Sequence, residues 1–491
     1  MFTTNAFFRR PLFNLGCSVL LSAALCQAAE QSDFYLREEI PLPPGEVMEI
    51  GSIALMPEQK VAVTTRRGDL WICSGAYGED LKKVTWTKFA QGLHEPFGMF
   101  WKAGWLYLTQ RPEVTRLKDS TNRGVADTFE TINSDWGIKG DYHEYAFGSD
   151  ADKNGDIWVT LCLTGSFTAD SDWRGWCLRI SPDGKMTPTC SGIRSPGGVG
   201  FNAEGDAFYT DNQGPWNGSS SLKWLKPGSF QGNPSGNKFA KPAGLPEPPE
   251  VSDQSRILIE RTKHPEFIPP AVILPHGLVG QSPTGIACDM TGGKFGPWKN
   301  QMYIGEQCHS QVQRSCLEKV NGLYQGAVFH FLEDFEAGLI PIRLDQQAGL
   351  LFVGGSNRGW PSRGSKPFTF ERVKWTGKTP FEIQTMTANK DGFTLNFTEP
   401  VDAATAANPG SYDMNAFIYI YKSEYGSDQV DQATPKITAA VVSADRKSVR
   451  LKVKGLVRGH IHHLTAKGVK SATAQTLWHP EAWYTLNEIP K

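Results

Sequence analysis

Arginine, histidine and amide side chains recur in this chain in short loops punctuated by glycine and proline. Arg194 stands in "GIRSP", and Asp211, Asn212 and Gln213 run into Gly214-Pro215 in "TDNQGPWNG". His143 and Glu144 stand in "GDYHEY", His94 and Glu95 in "GLHEP", Gln281 and Ser282 in "GQSP". Other loops carry Arg66 and Arg67 ("TTRRG"), Gln110 and Arg111 ("TQRPE"), Glu306 and His309 ("GEQCHS"), and Arg358 and Arg363 ("GSNRGWPSRG"). Guanidinium groups fork onto carboxylates and other oxygen-rich partners. An imidazole can take a proton near neutral pH. If these loops converge, the chemistry is recognition of an anionic or highly hydroxylated ligand beside a proton acceptor. Singly, each residue is as well explained as a loop hydrogen-bonder; as a set they favour a site.

Convergence requires a repeating scaffold, and the sequence contains one. Five segments share a turn, an apolar strand, a tight turn and a second apolar strand: "EPFGMFWKAGWLYLTQ", "YAFGSDADKNGDIWVTL", "SPGGVGFNAEGDAFYTD", "SPTGIACDMTGGKFGPWKNQMYIGE" and "LDQQAGLLFVGG". A sixth, "IGSIALMPEQKVAVTT", precedes them, and most pairs are followed by a further strand such as "WCLRISPDG". A period of roughly 45 to 50 residues with about four short strands per unit predicts β-propeller blades. The expected fold is therefore all-β: a six-bladed β-propeller over residues 30–380. The loop into each innermost strand and the loop out of the second strand would then share one rim. "DADKNGD" and "DSTNRGVAD" have calcium-loop spacing but read better as turns, with Arg123 where an oxygen ligand is wanted.

Residues 228–275, rich in proline and glycine, are expected to be an insertion lying over the propeller face. From 381 to 491 the pattern changes to period-two alternation, as in "FTLNFTEPVD" and "SVRLKVKGL", which predicts an immunoglobulin-like β-sandwich. "HIHH" (460–463) is expected to face solvent rather than a metal.

The chain of 491 residues carries net charge −1, so no basic face argues for nucleic acid. Arg9 and Arg10, the apolar run "PLFNLGCSVLLSAALC" and the small residues of "CQAA" predict a signal peptide over 1–29 and a secreted or periplasmic mature chain. No later apolar run is long enough to span a membrane. Seven cysteines follow the predicted cleavage point; in an oxidising compartment some should pair, Cys308 with Cys316 being one plausible choice.

"GIRSPGGVGFNAEGDAFYTDNQGP" resembles the corresponding blade of the soluble quinoprotein glucose and sorbosone dehydrogenases. "HEYAFG", "DNQGPW" and "GSNRGWPSRG" are similar to large secreted propeller proteins of planctomycete and verrucomicrobial type. The resemblance implies pyrroloquinoline quinone (PQQ) and Ca2+ as cofactors and His143 as catalytic base. It implies cofactor contacts from Arg194 and Gln213, and calcium bound by the backbone carbonyls of Gly214 and Pro215. Arg358 and Arg363 could add cationic cofactor contacts, and Arg111, Trp216 and His309 are candidate substrate contacts. Ser195 replaces the family's asparagine, and Asn217 and Ser219 stand where an acid is expected. The expected activity is oxidation of an aldose or alditol hydroxyl, with a carbohydrate substrate and a separate electron acceptor. A non-catalytic carbohydrate-binding propeller, and a hydrolase or lyase acting on acidic polysaccharide, remain alternatives.

Overall fold

The computed structural model describes residues 30–248, 250–357 and 361–491, so the predicted signal segment and Arg358 lie outside the described residues. Up to residue 375 the chain lays down successive sets of four antiparallel strands. The first set is Ile50–Met56, Lys60–Thr65, Leu70–Ser74 and Thr85–Ala90; the second begins at Met99–Lys102 and the third at Ala146–Ala151. The fourth begins at Pro196–Phe201 and the fifth at Pro283–Cys288. The sixth joins Leu339–Asp345, Leu350–Ser356 and Phe368–Trp375 to the N-terminal strand Tyr35–Glu39, with Tyr35 opposite Trp375.

The first strands of these sets pack side by side in a closed ring, Leu339–Asp345 returning to Ile50–Met56. This is the arrangement of a β-propeller. The second strands of the sets are largely buried on both faces, as in "IWVTL" (Ile157–Leu161), where every residue is buried, because neighbouring sets cover them on either side. The ring closes tightly where the strands carry glycine: a Cβ on Gly98 would stand 2.7 Å from the Gly148 carbonyl. The hairpin turns are held by their own side chains. Asp152 accepts N–H bonds from Asn154 (2.8 Å) and Asp156 (3.0 Å), so "DADKNGD" is spent on the turn.

The first strands enclose a central channel of about 560 Å³. Arg343, on the sixth set, crosses it. Its guanidinium donates to the carbonyls of Ile53 (3.2 Å) and Met99 (2.8 Å) and meets Asp150 Oδ2 at 2.5 Å.

Two features differ from the sequence expectation. The segment after Ser220–Trp224 is more than a covering loop: it contains a helix, Ile257–Lys263, and returns as Val272–Leu274, the outer strand of the fourth set. The C-terminal region is joined to the ring by hydrogen bonds. Leu323–Leu332 of the fifth set pairs with Glu481–Thr485 (Val328 opposite Trp483), and Ile461–Thr465, Asp413–Tyr419 and Gln429–Ala433 extend the same sheet. A second sheet, led by Ile383–Asn389, closes over a core that includes Phe393, Leu395, Leu451 and Tyr484.

His462 is fully buried, contrary to the expected solvent-facing position, and burial pushes its pKa down to about 4. The second sheet covers the face of the strand that carries it: its ring packs 5.4 Å from Phe393, while His463 on the other face stays partly exposed. All seven described cysteines are free. Cys316 points into the C-terminal core, its Sγ 3.6 Å from the Met386 carbonyl, so it does not pair with Cys308 at the rim.

Candidate functional site

The loops into the first strand and out of the second meet at one end of each set, and a repeated contact joins them. Gln110 Oε1 accepts the N–H of His94 (2.6 Å), and Asp211 Oδ1 that of Ser195 (2.8 Å). Glu306 Oε1 accepts the N–H of Gln281 (2.9 Å), and Asn357 Oδ1 that of Gly338 (2.9 Å). In each case a polar side chain at the end of the second strand satisfies a part-buried backbone donor of the incoming loop. Part of the polar pattern in the sequence is therefore bracing.

On the fifth set the bracing is nearly complete. Glu306 is fully buried, also takes the N–H bonds of Ser282 and His309, and burial raises its pKa. His309 is 6% exposed. Burial, with Arg363 beyond it, lowers its pKa to about 4. It is a neutral buried ring rather than the expected substrate contact, because the turn that carries it folds back onto Glu306. Arg363 is exposed, its N–H bonded to the Cys308 carbonyl (2.9 Å).

The second, third and fourth sets build a different corner. Asp141 Oδ1 receives the N–H of His143 (2.8 Å) and of Gly165 (2.7 Å), tying two loops together. Glu144 is buried under them and takes Thr164 Oγ1 (2.7 Å) and Ser171 Oγ (2.9 Å). His143 lies half-buried above, with Tyr142 edge-on at 4.4 Å. Burial lowers the His143 pKa; Asp141 opposes this, while Arg194 and Arg111 add to it. The ring is thus neutral near pH 7 and able to accept a proton. The same charges place Arg194 and Arg111 in its surroundings, so the structure brings His143 and Arg194 to one corner.

Arg111 is a brace rather than a substrate contact. Its guanidinium meets Glu95 Oε2 (3.0 Å), donates to the carbonyls of Glu144 (3.1 Å) and Asp141, and lies over the Tyr145 ring. Trp216, at positive φ in its loop, is partly buried: its ring packs 5.0 Å from Tyr421 of the C-terminal region, beside the Phe230 and Phe267 cluster.

The loop from Asp211 to Pro215 can be tested as a calcium and quinone site. Arg194 Nη1 donates to the carbonyls of Gln213 (2.6 Å) and Asn212 (3.3 Å). A Cβ on Gly214 would stand 2.1 Å from that guanidinium, so glycine is required for the contact. The Gly214 carbonyl accepts N–H bonds from Asn217 (3.0 Å) and Gly426 (3.3 Å), and the Pro215 carbonyl takes Asn233 Nδ2 (3.2 Å). The Gln213 amide donates to the Gly218 carbonyl (3.1 Å). Asp211, the acid at hand, is fully buried and paired with Lys223 Nζ at 2.9 Å. The expected ligand carbonyls are engaged by N–H donors, and a guanidinium stands where calcium would need oxygen only. This loop does not fit the calcium arrangement that the resemblance implies. Arg194 is 4% exposed, with the Tyr425 ring 5.2 Å from its guanidinium; its Nη1 is spent on the loop carbonyls, while its buried Nε has no hydrogen-bond partner. Among the described residues no group of three or more His, Cys, Asp or Glu is placed to hold a metal.

Asp141 and Tyr425 escaped the sequence reading. Asp141 had a signal, an Asp two residues before His143 in a turn. Tyr425 had none, because it comes from the C-terminal sheets.

No family model and no curated protein matches the chain. Solved structures do. A glucose dehydrogenase is 16% identical, with 70% of this chain and 99% of that chain covered at a TM-score of 0.50. The PQQ-bound aldose sugar dehydrogenase of Streptomyces coelicolor is 13% identical (69% and 98% covered, TM-score 0.48). A family AA12 carbohydrate-active enzyme of Trichoderma reesei is also 13% identical (71% and 97%, TM-score 0.48). At these identities the likeness extends to the fold, which is the β-propeller fold of sugar dehydrogenases.

Proposed function

We propose that this chain is an exported, sugar-directed propeller of six blades with an immunoglobulin-like C-terminal sandwich, and that its working end is the His143 corner. A sugar enters at the rim with one hydroxyl against the His143 ring. The observation that carries this reading is the state of His143: half-buried, kept neutral by burial and by Arg194 and Arg111, on a loop held by its backbone N–H to Asp141. A neutral imidazole so placed accepts the hydroxyl proton. A sugar oxidation needs that proton removed from the hydroxyl and a hydride passed from its carbon to an acceptor, which added quinone would supply. Nothing in this reading requires calcium at the Gly214–Pro215 loop. The closed loop favours a second reading, in which the same corner binds sugar without turning it over.

Calorimetry and dye reduction separate the two. Aldoses and alditols are titrated alone, then with PQQ, with and without Ca2+. The oxidising reading predicts sugar-dependent dye reduction with quinone that EDTA does not abolish. Sugar binding without dye reduction leaves the binding reading. Calcium-dependent quinone binding that Arg194→Ala abolishes would overturn the account of the loop.

A further inference from the structure

Among the described residues, four large aromatic side chains are strongly exposed: Phe129, Tyr142, Phe167 and Tyr425. Phe129 lies on the outer strand Thr128–Asn133 of the second set. The other three stand around the His143 corner. Tyr142 is edge-on to the His143 ring. Phe167 sits in the loop whose Gly165 N–H is bound by Asp141 and whose Thr164 hydroxyl is bound by Glu144. Tyr425 reaches the corner from the C-terminal sheets. Pro215 bridges to Tyr425, the Gly426 N–H bonds the Gly214 carbonyl (3.3 Å), and the Tyr425 ring lies on the Arg194 guanidinium while remaining 57% exposed.

Three rings left in water around one polar corner, each on a loop tied down by buried hydrogen bonds, need an explanation, since exposed apolar clusters mark binding surfaces. Sugar rings present apolar C–H faces and polar edges. They stack on aromatic faces while their hydroxyls take hydrogen bonds from neighbouring charged groups. One monosaccharide face can cover one ring. We propose that Tyr142, Phe167 and Tyr425 form an aromatic cradle for an oligosaccharide or polysaccharide chain, with Tyr425, a residue of the C-terminal sheets, completing the subsite over Arg194. This rests on the sugar-directed reading and adds that the ligand has several sugar rings.

The test uses the full mature chain. Affinities are measured by calorimetry for cellohexaose, xylohexaose, chitohexaose and hexagalacturonate, and for their monosaccharides. At least one hexamer is expected to bind about tenfold or more tighter than its monomer. Tyr142→Ala, Phe167→Ala and Tyr425→Ala should each weaken it by about threefold to tenfold, the size of one aromatic stacking contact. Tyr425→Phe should retain affinity, and Phe129→Ala should change nothing. Tyr425→Phe also guards against misfolding of the alanine variant. A hexamer whose affinity ignores all three alanine changes, or a monomer that binds as tightly as its hexamer, would overturn the cradle and leave the sugar-directed reading standing. Absence of binding by every saccharide would overturn both.

Discussion

Two corners of one rim carry the same residue types and differ in what water can reach. Around Glu306 and His309, the side chains face inward, the acid caps backbone donors and the histidine is sealed to 6% exposure. Around Asp141 and His143, the acid also caps backbone donors, but the histidine stays half-exposed, with Arg194 and Arg111 lowering its pKa. The contrast shows that a histidine and an acid in a propeller loop are the raw material of both a brace and a site. Solvation and the geometry of the cap decide between them.

The sharpest way to break the contrast is to remove each histidine. His143→Ala should lower sugar-dependent dye reduction by about 10² to 10⁴-fold, the loss expected for a general base. His309→Ala should leave turnover within about twofold. Equal losses, measured on variants of unchanged melting temperature, would erase the distinction. The reaction should also persist below pH 6.5 before falling, because the His143 pKa is held below its ordinary value.

The next effect is on stability. Asp211→Ala leaves Lys223, itself 2% exposed, as a buried charge without its partner. It should cost about 3 to 5 kcal/mol in urea denaturation. Glu306→Gln keeps an acceptor for the Gln281 N–H and removes no cation's partner. It should cost about 1 to 2 kcal/mol. A reversed order would show that the fifth-set brace, and not the fourth-set loop, holds the rim.

A third effect is the acid response of the buried histidines. His462 has a folded pKa of about 4, below the ordinary value of about 6.5 in the unfolded chain. The unfolded state therefore binds more protons between those values. Stability should be full above about pH 6.5, decline as pH falls towards 4, and level off below. His462 contributes on the order of 3 kcal/mol to that decline. His462→Phe should flatten the profile; a profile unchanged by it would place the acid sensitivity elsewhere.

The four-strand repeat was readable because each set reuses the same alternation of turn and apolar strand, and glycines such as Gly98 mark where first strands crowd. The rim was readable in residue type but not in orientation. Nothing in "TQRPE" says that Arg111 will fold onto Glu95, or in "DNQGPW" that Trp216 will turn towards Tyr421. Those outcomes depend on partners distant in sequence. The same holds for the tie between Gly214 and Gly426, which joins a propeller loop to sheets that the repeat pattern does not cover. "HIHH" misled for a related reason: alternation separates two faces of a strand but does not say that a second sheet covers the face of His462.

The strand Tyr35–Glu39 is made first and used last. Its hydrogen-bonding edge stays without its partner until Phe368–Trp375 has been synthesised, since Tyr35 pairs with Trp375. A ring closed this way cannot be finished in the order in which it is built. The emerging chain must carry an open strand edge through most of its own synthesis, a state prone to mispairing with other chains. The charged run "REE" within Tyr35–Glu39 suits that waiting period, because charged side chains on an edge strand discourage premature partners.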